Sequence, residues 1–382
     1  FYPVDARHSG RDLVPNHLTF FVLNHVAIFP EALWPKQIVV NGSVLMDGKK
    51  MSKSMGNIIP LRKAIADYGA DPIRLAIIIS AELLQDADFN LESVNTIKSK
   101  LEAIYEDCAK YKPGMPAKLQ SEDSWILGRL DHLINQTTGS VEKMRLREAL
   151  HHILFSFESE LQWYLKRIEA KGRTDISGIL HKILSVRVAM LSPFAPHIAE
   201  EMWERLGNSG SVSRSAWPAP NNSADSNSIQ SEELLQSTLE DIKNVLKVTK
   251  ITPQKIVLYT ADSWKVKAFQ KIASSVVSGQ TNIGIIIKDL IANPETENIK
   301  KDPDFVKKSV NSILAESVEM RKLRVELEPI NEITILSAEL STLVKKEFGV
   351  DLQVFAESDS SKYDPKNKAR MARPFKPALF IE

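Results

Sequence analysis

Two lysines three residues apart occupy Lys50-Met51-Ser52-Lys53-Ser54, a stretch without apolar periodicity, with Gly48 before it and Gly56 after. A mobile loop of this kind can meet negative charge as it develops. When the bond between the α- and β-phosphates of a nucleoside triphosphate breaks, the leaving pyrophosphate gathers charge. Compact lysine ammonium groups suit that charge, and serine hydroxyls and backbone N–H groups add hydrogen bonds. A loop that closes only as the charge grows stabilises the transition state more than the ground state. Each ~1.4 kcal/mol gained this way is about tenfold in rate. Taken alone, lysine- and serine-rich material reads more simply as a solvated surface loop, so an independent signal is needed.

The elements that must hold this loop can be read from the same chain. Residues 18–29 form an apolar and aromatic run whose length predicts a buried helix rather than a strand. A β-branched run at 37–40, then Asn41-Gly42, then Val44-Leu45-Met46, predicts a hairpin turning at Asn41-Gly42. Asp47-Gly48 gives a second turn, and Lys49 to Asn57 reads as loop. Pro60 opens a helix that Gly69 ends, and Asp71 is the expected N-cap of another, running to about Leu84. From 91 to 206 the pattern is helical, with helices expected near 91–111, 121–139, 145–170, 175–191 and 194–206. Short connections between them predict a bundle. The polar tract 221–228 reads as a flexible linker or insertion. After it come a helix at 231–248, a strand at 255–259 and helices near 263–275, 284–291, 303–318 and 334–347. Strands at 352–355 and 378–381 complete a small α/β unit.

The 382 residues are enough for two or three domains. Hydrophobic residues at 43% and charged residues at 25% are ordinary globular usage, and the net charge of +1 confines any nucleic-acid surface to a local patch. The single cysteine, Cys108, excludes an internal disulfide and a thiolate zinc site. No run of about 18 apolar residues predicts a membrane span. The start at Phe1-Tyr2-Pro3 reads as a cut through a domain, so a fragment is expected.

The pentapeptide at 50–54 matches the KMSKS signature of class I aminoacyl-tRNA synthetases, in that family's context of a strand-hairpin before and a helix after. Upstream, Tyr2-Pro3-Val4-Asp5, Ser9-Gly10-Arg11-Asp12-Leu13, Pro15-Asn16-His17-Leu18 and Asn24-His25-Val26-Ala27 resemble the leucyl-tRNA synthetases of archaea and the eukaryotic cytosol. Leu191 to Trp203 resembles the last helix of the anticodon-binding bundle of such enzymes, where His197 reads as structural and Ile198, Met202 and Trp203 as core. The terminal basic stretch, with Lys362, Lys366, Lys368, Arg370, Arg373 and Lys376, resembles the end of the archaeal type.

The resemblance implies Lys50 and Lys53 as catalytic, stabilising the leaving pyrophosphate, with Met51, Ser52 and Ser54 completing the loop. It implies Gly10 and Asp12 beside the ATP ribose, with Lys53 also on ATP. His17 would lie near the nucleotide, with a capping or core histidine as the equal alternative. Arg11 stands where lysine is common in the family and receives no role. Lys366, Lys368, Arg370, Arg373 and Lys376 would engage tRNA phosphates.

The implied fold is multidomain α/β plus all-α. Residues 1–48 would be the C-terminal part of a Rossmann-like catalytic domain, and 49–90 the lysine loop and a stem-contact region. Residues 91–220 would be an α-helical anticodon-binding domain, 221–230 a linker, and 231–382 a C-terminal α/β tRNA-binding domain. The family's His-x-Gly-His element is absent from this sequence, so the segment alone is expected not to make adenylate.

Expected partners are ATP with Mg²⁺ as its counter-ion, leucine, tRNA(Leu), and the amino-terminal half of the protein on the same chain or a separate subunit. No bound organic cofactor, protein-ligated metal or membrane is expected, and the location would be cytoplasmic. A valyl, isoleucyl or methionyl enzyme, or a non-catalytic tRNA-binding subunit, stays open as an alternative.

Overall fold

The computed structural model describes residues 2–52, 54–221, 225–326 and 330–382. The chain forms two compact units. One comprises 1–119, 126–165 and 174–223, and the other 120–125, 166–173 and 224–382.

The first unit opens with a crossover. β1 (Arg7–Gly10) leads through α1 (Thr19–Ile28) to β2 (Ile38–Asn41), which lies parallel to β1 with Gly10 opposite Asn41. Parallel neighbours require such a crossover, and a helix is the usual one. The apolar run therefore forms the expected helix. Of its residues only His25 is buried, and Phe20, Leu23 and Ile28 are exposed. Its apolar residues surround the helix axis instead of forming one stripe, the pattern of a helix that needs cover on every side.

β3 (Val44–Met46) turns back into β4 (Lys49–Lys50). The hairpin expected at Asn41-Gly42 does not form, because β2 and β3 belong to different sheets. Gly42 serves close approach, not a positive φ. A Cβ there would lie 2.1 Å from the Gln85 carbonyl oxygen. The hairpin turns at Asp47 and Gly48, whose φ angles of 48° and 73° are the paired positive values of a two-residue turn.

α2 (Leu61–Tyr68) follows Pro60 and ends at Gly69, φ 90°, after which α3 (Ala70–Ser80) begins. β5 (Ala87–Phe89) then pairs in parallel with β3. Next come α4 (Leu91–Lys110), α5 (Ser121–Glu142), α6 (Leu146–His151), α7 (Phe157–Lys171), α8 (Ser177–Leu191) and α9 (Pro196–Arg205).

Asp71 does not cap its own helix. It is buried, and its carboxylate accepts the Ile198 N–H at 2.6 Å and meets His197 Nδ1 at 2.9 Å, so it caps α9. Of the expected core residues on α9, Met202 is buried, while Ile198 and Trp203 are half-buried. The helix expected over 145–170 is interrupted by a wide turn at His152–Ser156. There the Ile153 carbonyl accepts from Arg187 Nη2 at 3.0 Å, drawing it out of a regular ladder. Val94, Ile97, Leu101, Ile104 and Cys108 make one buried stripe on α4. Burial pushes the Cys108 thiol up to about 11, which marks it as inert core.

The second unit has α10 (Ser226–Thr249), with the Asp225 side chain accepting the Asn227 N–H at 3.2 Å. This helix begins earlier than the 231 expected from composition, and residues 222–224 of the polar tract lie outside the described residues. β6 (Ile256–Thr260) follows, then α11 (Ser263–Val277), α12 (Ile283–Ala292), α13 (Pro303–Ala315), α14 (Val318–Glu326), α15 (Glu332–Ile335) and α16 (Ser341–Phe348). β7 (Leu352–Ala356) lies parallel to β6 and β8 (Ala378–Ile381) antiparallel, in the order β7-β6-β8. Every β6 residue is buried, as a central strand requires. Phe269, Ile272 and Val276 of α11 pack with Phe305, Val306 and Val310 of α13 as the main helical core.

Glu332 breaks the apolar pattern of this unit. One of its oxygens accepts the Phe375 N–H at 2.7 Å, and the other is buried with no hydrogen-bond partner among the described residues. Burial pushes its carboxyl up to about 7, against the opposing pull of the Phe375 N–H and the Arg324 charge. The folded value lies above the ordinary 4.5, so its contribution to stability is complete below about pH 4.5 and is lost as pH rises through about 7. Glu332→Gln is expected to raise the unfolding free energy at pH 8 by about 3 kcal/mol, at ~1.36 kcal/mol per unit. At pH 4.5 it should change little. Urea unfolding at both pH values reads this, and parallel pH profiles for the two proteins would exclude it.

Candidate nucleotide-activating site

Lys50 is exposed on β4, opposite Leu45 of β3, and makes no ion pair among the described residues. Its main chain, in contrast, is held. Asn57 Oδ1 accepts the Ser52 N–H at 2.9 Å, and Asn57 Nδ2 donates to the Lys50 carbonyl at 3.2 Å. Ser52 Oγ accepts the Met55 N–H at 3.2 Å and lies 3.1 Å from Ser54 Oγ. At the other end, Asp88 Oδ1 accepts the Gly48 N–H at 2.8 Å and so fixes the turn. Backbone at 48–52 is therefore clamped while the Lys50 ammonium faces water. Lys53, the second expected catalytic lysine, lies outside the described residues.

Gly10 ends β1, and Asp12 sits in the single 3₁₀ turn Arg11–Leu13 that follows. The two touch. A Cβ on Gly10 would fall 2.5 Å from Asp12 Oδ1, so any side chain at residue 10 would displace that carboxylate. Asp12 is exposed, and a carboxylate so placed can accept hydrogen bonds from two neighbouring hydroxyls. His17 is also exposed, with Nε2 3.3 Å from Arg7 Nη2. The guanidinium donates, so Nε2 accepts. That contact supports neither a capping nor a core role for this ring.

Arg11 donates to Asp86 Oδ2 at 2.9 Å and to the Leu84 carbonyl at 3.3 Å. Asp86 Oδ1 accepts the Ser43 N–H at 2.7 Å. That bond first, and then the Arg11 charge, hold the Asp86 carboxyl below its ordinary value.

Asn57, Asp86 and Asp88 have no place in the sequence reading. A signal for two of them exists in Asp86-Ala87-Asp88-Phe89, whose alternation marks a half-buried strand with both carboxylates on one face.

The expected tRNA contacts lie in the second unit, on the segment between β7 and β8. Lys366, Arg370 and Lys376 are exposed, and Lys368 and Arg373 half-buried. Lys376 stands 4.0 Å from Asp241, and the other four make no ion pair among the described residues. Asp364, the one acid of the stretch, accepts the N–H groups of Lys368 and Ala369 and so shapes the turn. Arg370 and Arg373 border an open cleft of about 820 Å³ that Trp264 and Lys308 also line, a feature without a sequence signature.

Two family models match the two parts of the chain that hold the lysine hairpin and the helical bundle. Residues 6–109 match the model described as "tRNA synthetases class I (M)", and residues 123–258 that of the anticodon-binding domain of tRNA ligase. Over its full length the chain is 38% identical to the leucine–tRNA ligase of Methanococcoides burtonii, 36% to that of Methanosarcina mazei and 37% to that of Pyrococcus abyssi. It covers 40%, 39% and 38% of those three proteins. The chain is thus similar along its whole length to leucine–tRNA ligases, and spans about two fifths of the relatives it matches.

Proposed function

We propose that the protein containing this chain is a leucine–tRNA ligase, and that Lys50, Lys53, Gly10 and Asp12 are this segment's share of its active site. The observation that carries the reading is Lys50, exposed and unpaired among the described residues on a clamped hairpin that continues into Ser52 and Ser54. In the first step a leucine carboxylate oxygen attacks the α-phosphorus of ATP. An O–P bond forms, the α–β bridging bond breaks, and pyrophosphate leaves with the electron pair. The lysine ammonium groups meet the charge it gathers. Asp12 accepts from the ribose hydroxyls and Gly10 leaves room for that carboxylate. His17 borders the nucleotide.

We assign Mg²⁺ to the triphosphate as its counter-ion. In the second step the 2′-hydroxyl oxygen of the terminal tRNA adenosine attacks the leucyl carbonyl of the adenylate: an ester C–O bond forms, the acyl–phosphate C–O bond breaks, and AMP leaves with that electron pair while the hydroxyl proton is released. Residues 1–90 supply the catalytic and stem-contact part, 91–220 the anticodon-binding bundle and 231–382 the tRNA-binding α/β part. Lys366, Lys368, Arg370, Arg373 and Lys376 lie on RNA phosphates. From the resemblance to leucyl-tRNA synthetases we place the enzyme in the cytoplasm.

The test is amino-acid-dependent ATP–pyrophosphate exchange by the protein expressed from its natural gene. Leucine is expected to lead isoleucine, valine and methionine clearly. Another preferred amino acid would overturn the leucyl assignment but keep the loop chemistry. No exchange from folded protein would favour a tRNA-binding module.

A further inference from the structure

Arg11 sits between the two halves of the proposed site. It follows Gly10 directly and precedes Asp12, so its backbone is part of the ribose element. Its guanidinium reaches away to Asp86 at 2.9 Å and to the Leu84 carbonyl at 3.3 Å. Asp86 in turn accepts the Ser43 N–H at 2.7 Å, and the Ser43 carbonyl accepts the Ala87 N–H at 2.8 Å. Ser43 is the residue before β3, the strand whose hairpin carries Lys50.

One carboxylate thus joins the end of β1 to the root of the lysine hairpin, two elements that belong to different sheets. The loop around it leaves little freedom. Leu84 holds a φ of 71°, a conformation bulky residues rarely adopt. Gly42 packs so closely on the Gln85 backbone that no side chain fits.

We propose that the Arg11–Asp86 pair is a latch that sets the lysine hairpin against the Gly10–Asp12 element, and that both are positioning residues for adenylate formation. This rests on the proposed function. The side chains of Arg11 and Asp86 are 48% and 30% exposed. A pair so exposed adds little to global stability, so breaking it separates positioning from folding. Asp86→Asn keeps an acceptor for Ser43 and removes the charge. Arg11→Lys keeps the charge and loses the second donor to Leu84.

The experiment uses the protein expressed from its natural gene, with Arg11→Ala, Asp86→Asn, the double variant and Arg11→Lys. In leucine-dependent pyrophosphate exchange, Arg11→Ala should lose about tenfold in kcat, or ~1.4 kcal/mol, with KM for ATP moving less than about twofold. The double variant should be no worse than Arg11→Ala, and Arg11→Lys should recover most of the loss. Amide hydrogen exchange across 44–52 should speed up in Arg11→Ala while the melting temperature holds. Additive losses, or a rise in KM with kcat unchanged, would overturn the latch. If the wild type shows no exchange with any amino acid, the proposed function fails, and amide exchange alone decides. Faster exchange at 44–52 then sustains the latch as a joint between the two elements, and unchanged exchange removes it.

Discussion

Lys50→Ala, in the protein expressed from its natural gene, is expected to lower kcat for leucine-dependent pyrophosphate exchange by about 100- to 1,000-fold, the range for removing one preorganised donor at a developing charge. KM for ATP should move less than about threefold. The split follows from the geometry. Asn57 fixes the backbone on both sides of the lysine loop, at Lys50 and at Ser52. The ammonium group itself has no ion pair among the described residues to hold it elsewhere. Under the proposed function its attraction would be small for the ground-state triphosphate, whose charge solvent and counter-ions balance, and would grow as pyrophosphate departs. Lys50→Arg should recover only part of the rate, because a planar fork does not replace a compact point charge. Steady-state kinetics in both substrates decides. A rise in KM with kcat intact would make Lys50 a ground-state binding residue instead.

Lys265→Met should destabilise the second unit by about 3 kcal/mol or more, as removal of one partner from a buried pair does. Lys265 is 2% exposed. Its ammonium donates to Glu357 Oε1 at 2.9 Å and to the carbonyls of Arg370 and Ala372 at 2.9 and 3.0 Å. It therefore ties α11 to the residue after β7 and to the turn that presents Arg370 and Arg373. Methionine fills the space and leaves these acceptors without their donor. Burial already raises the Glu357 carboxyl above its ordinary value, against the pull of Lys265. Without the lysine it takes a proton more readily, so the defect should be smaller at pH 5 than at pH 8. Urea midpoints at the two pH values read both effects, and a loss under about 1 kcal/mol at pH 8 would remove Lys265 from this role. Faster amide exchange at 369–376 should accompany the loss.

The sequence was most informative where one physical requirement dominates. Helices α4 and α8 follow from apolar spacing, and β6 from a short β-branched run. The turn at Asp47-Gly48 follows from residues that tolerate positive φ. It was misleading where a residue type answers two needs. Glycine at 42 reads as a turn residue, yet what it provides is room for the Gln85 backbone. Aspartate at 71 reads as the cap of its own helix, yet it caps α9, more than 120 residues away. The candidate site shows the same division. Lys50, Gly10 and Asp12 stand out by motif, whereas Asn57, Asp86 and Asp88 are ordinary polar residues until contacts between strands assign them partners. Local pattern does not encode which distant backbone group a side chain will meet.

Helix α1 has a consequence for the physical handling of this segment. Phe20, Leu23 and Ile28 are 64%, 56% and 70% exposed, so a run of apolar surface faces water on a molecule whose net charge is only +1. Like-charge repulsion between such particles is weak, and contiguous apolar patches are cohesive. The segment on its own is expected to be colloidally fragile. Sulfate or phosphate, which strengthen apolar contacts by their exclusion from protein surfaces, should precipitate it early. Leu23→Glu would add charge among these exposed apolar residues and leave the clamped hairpin untouched.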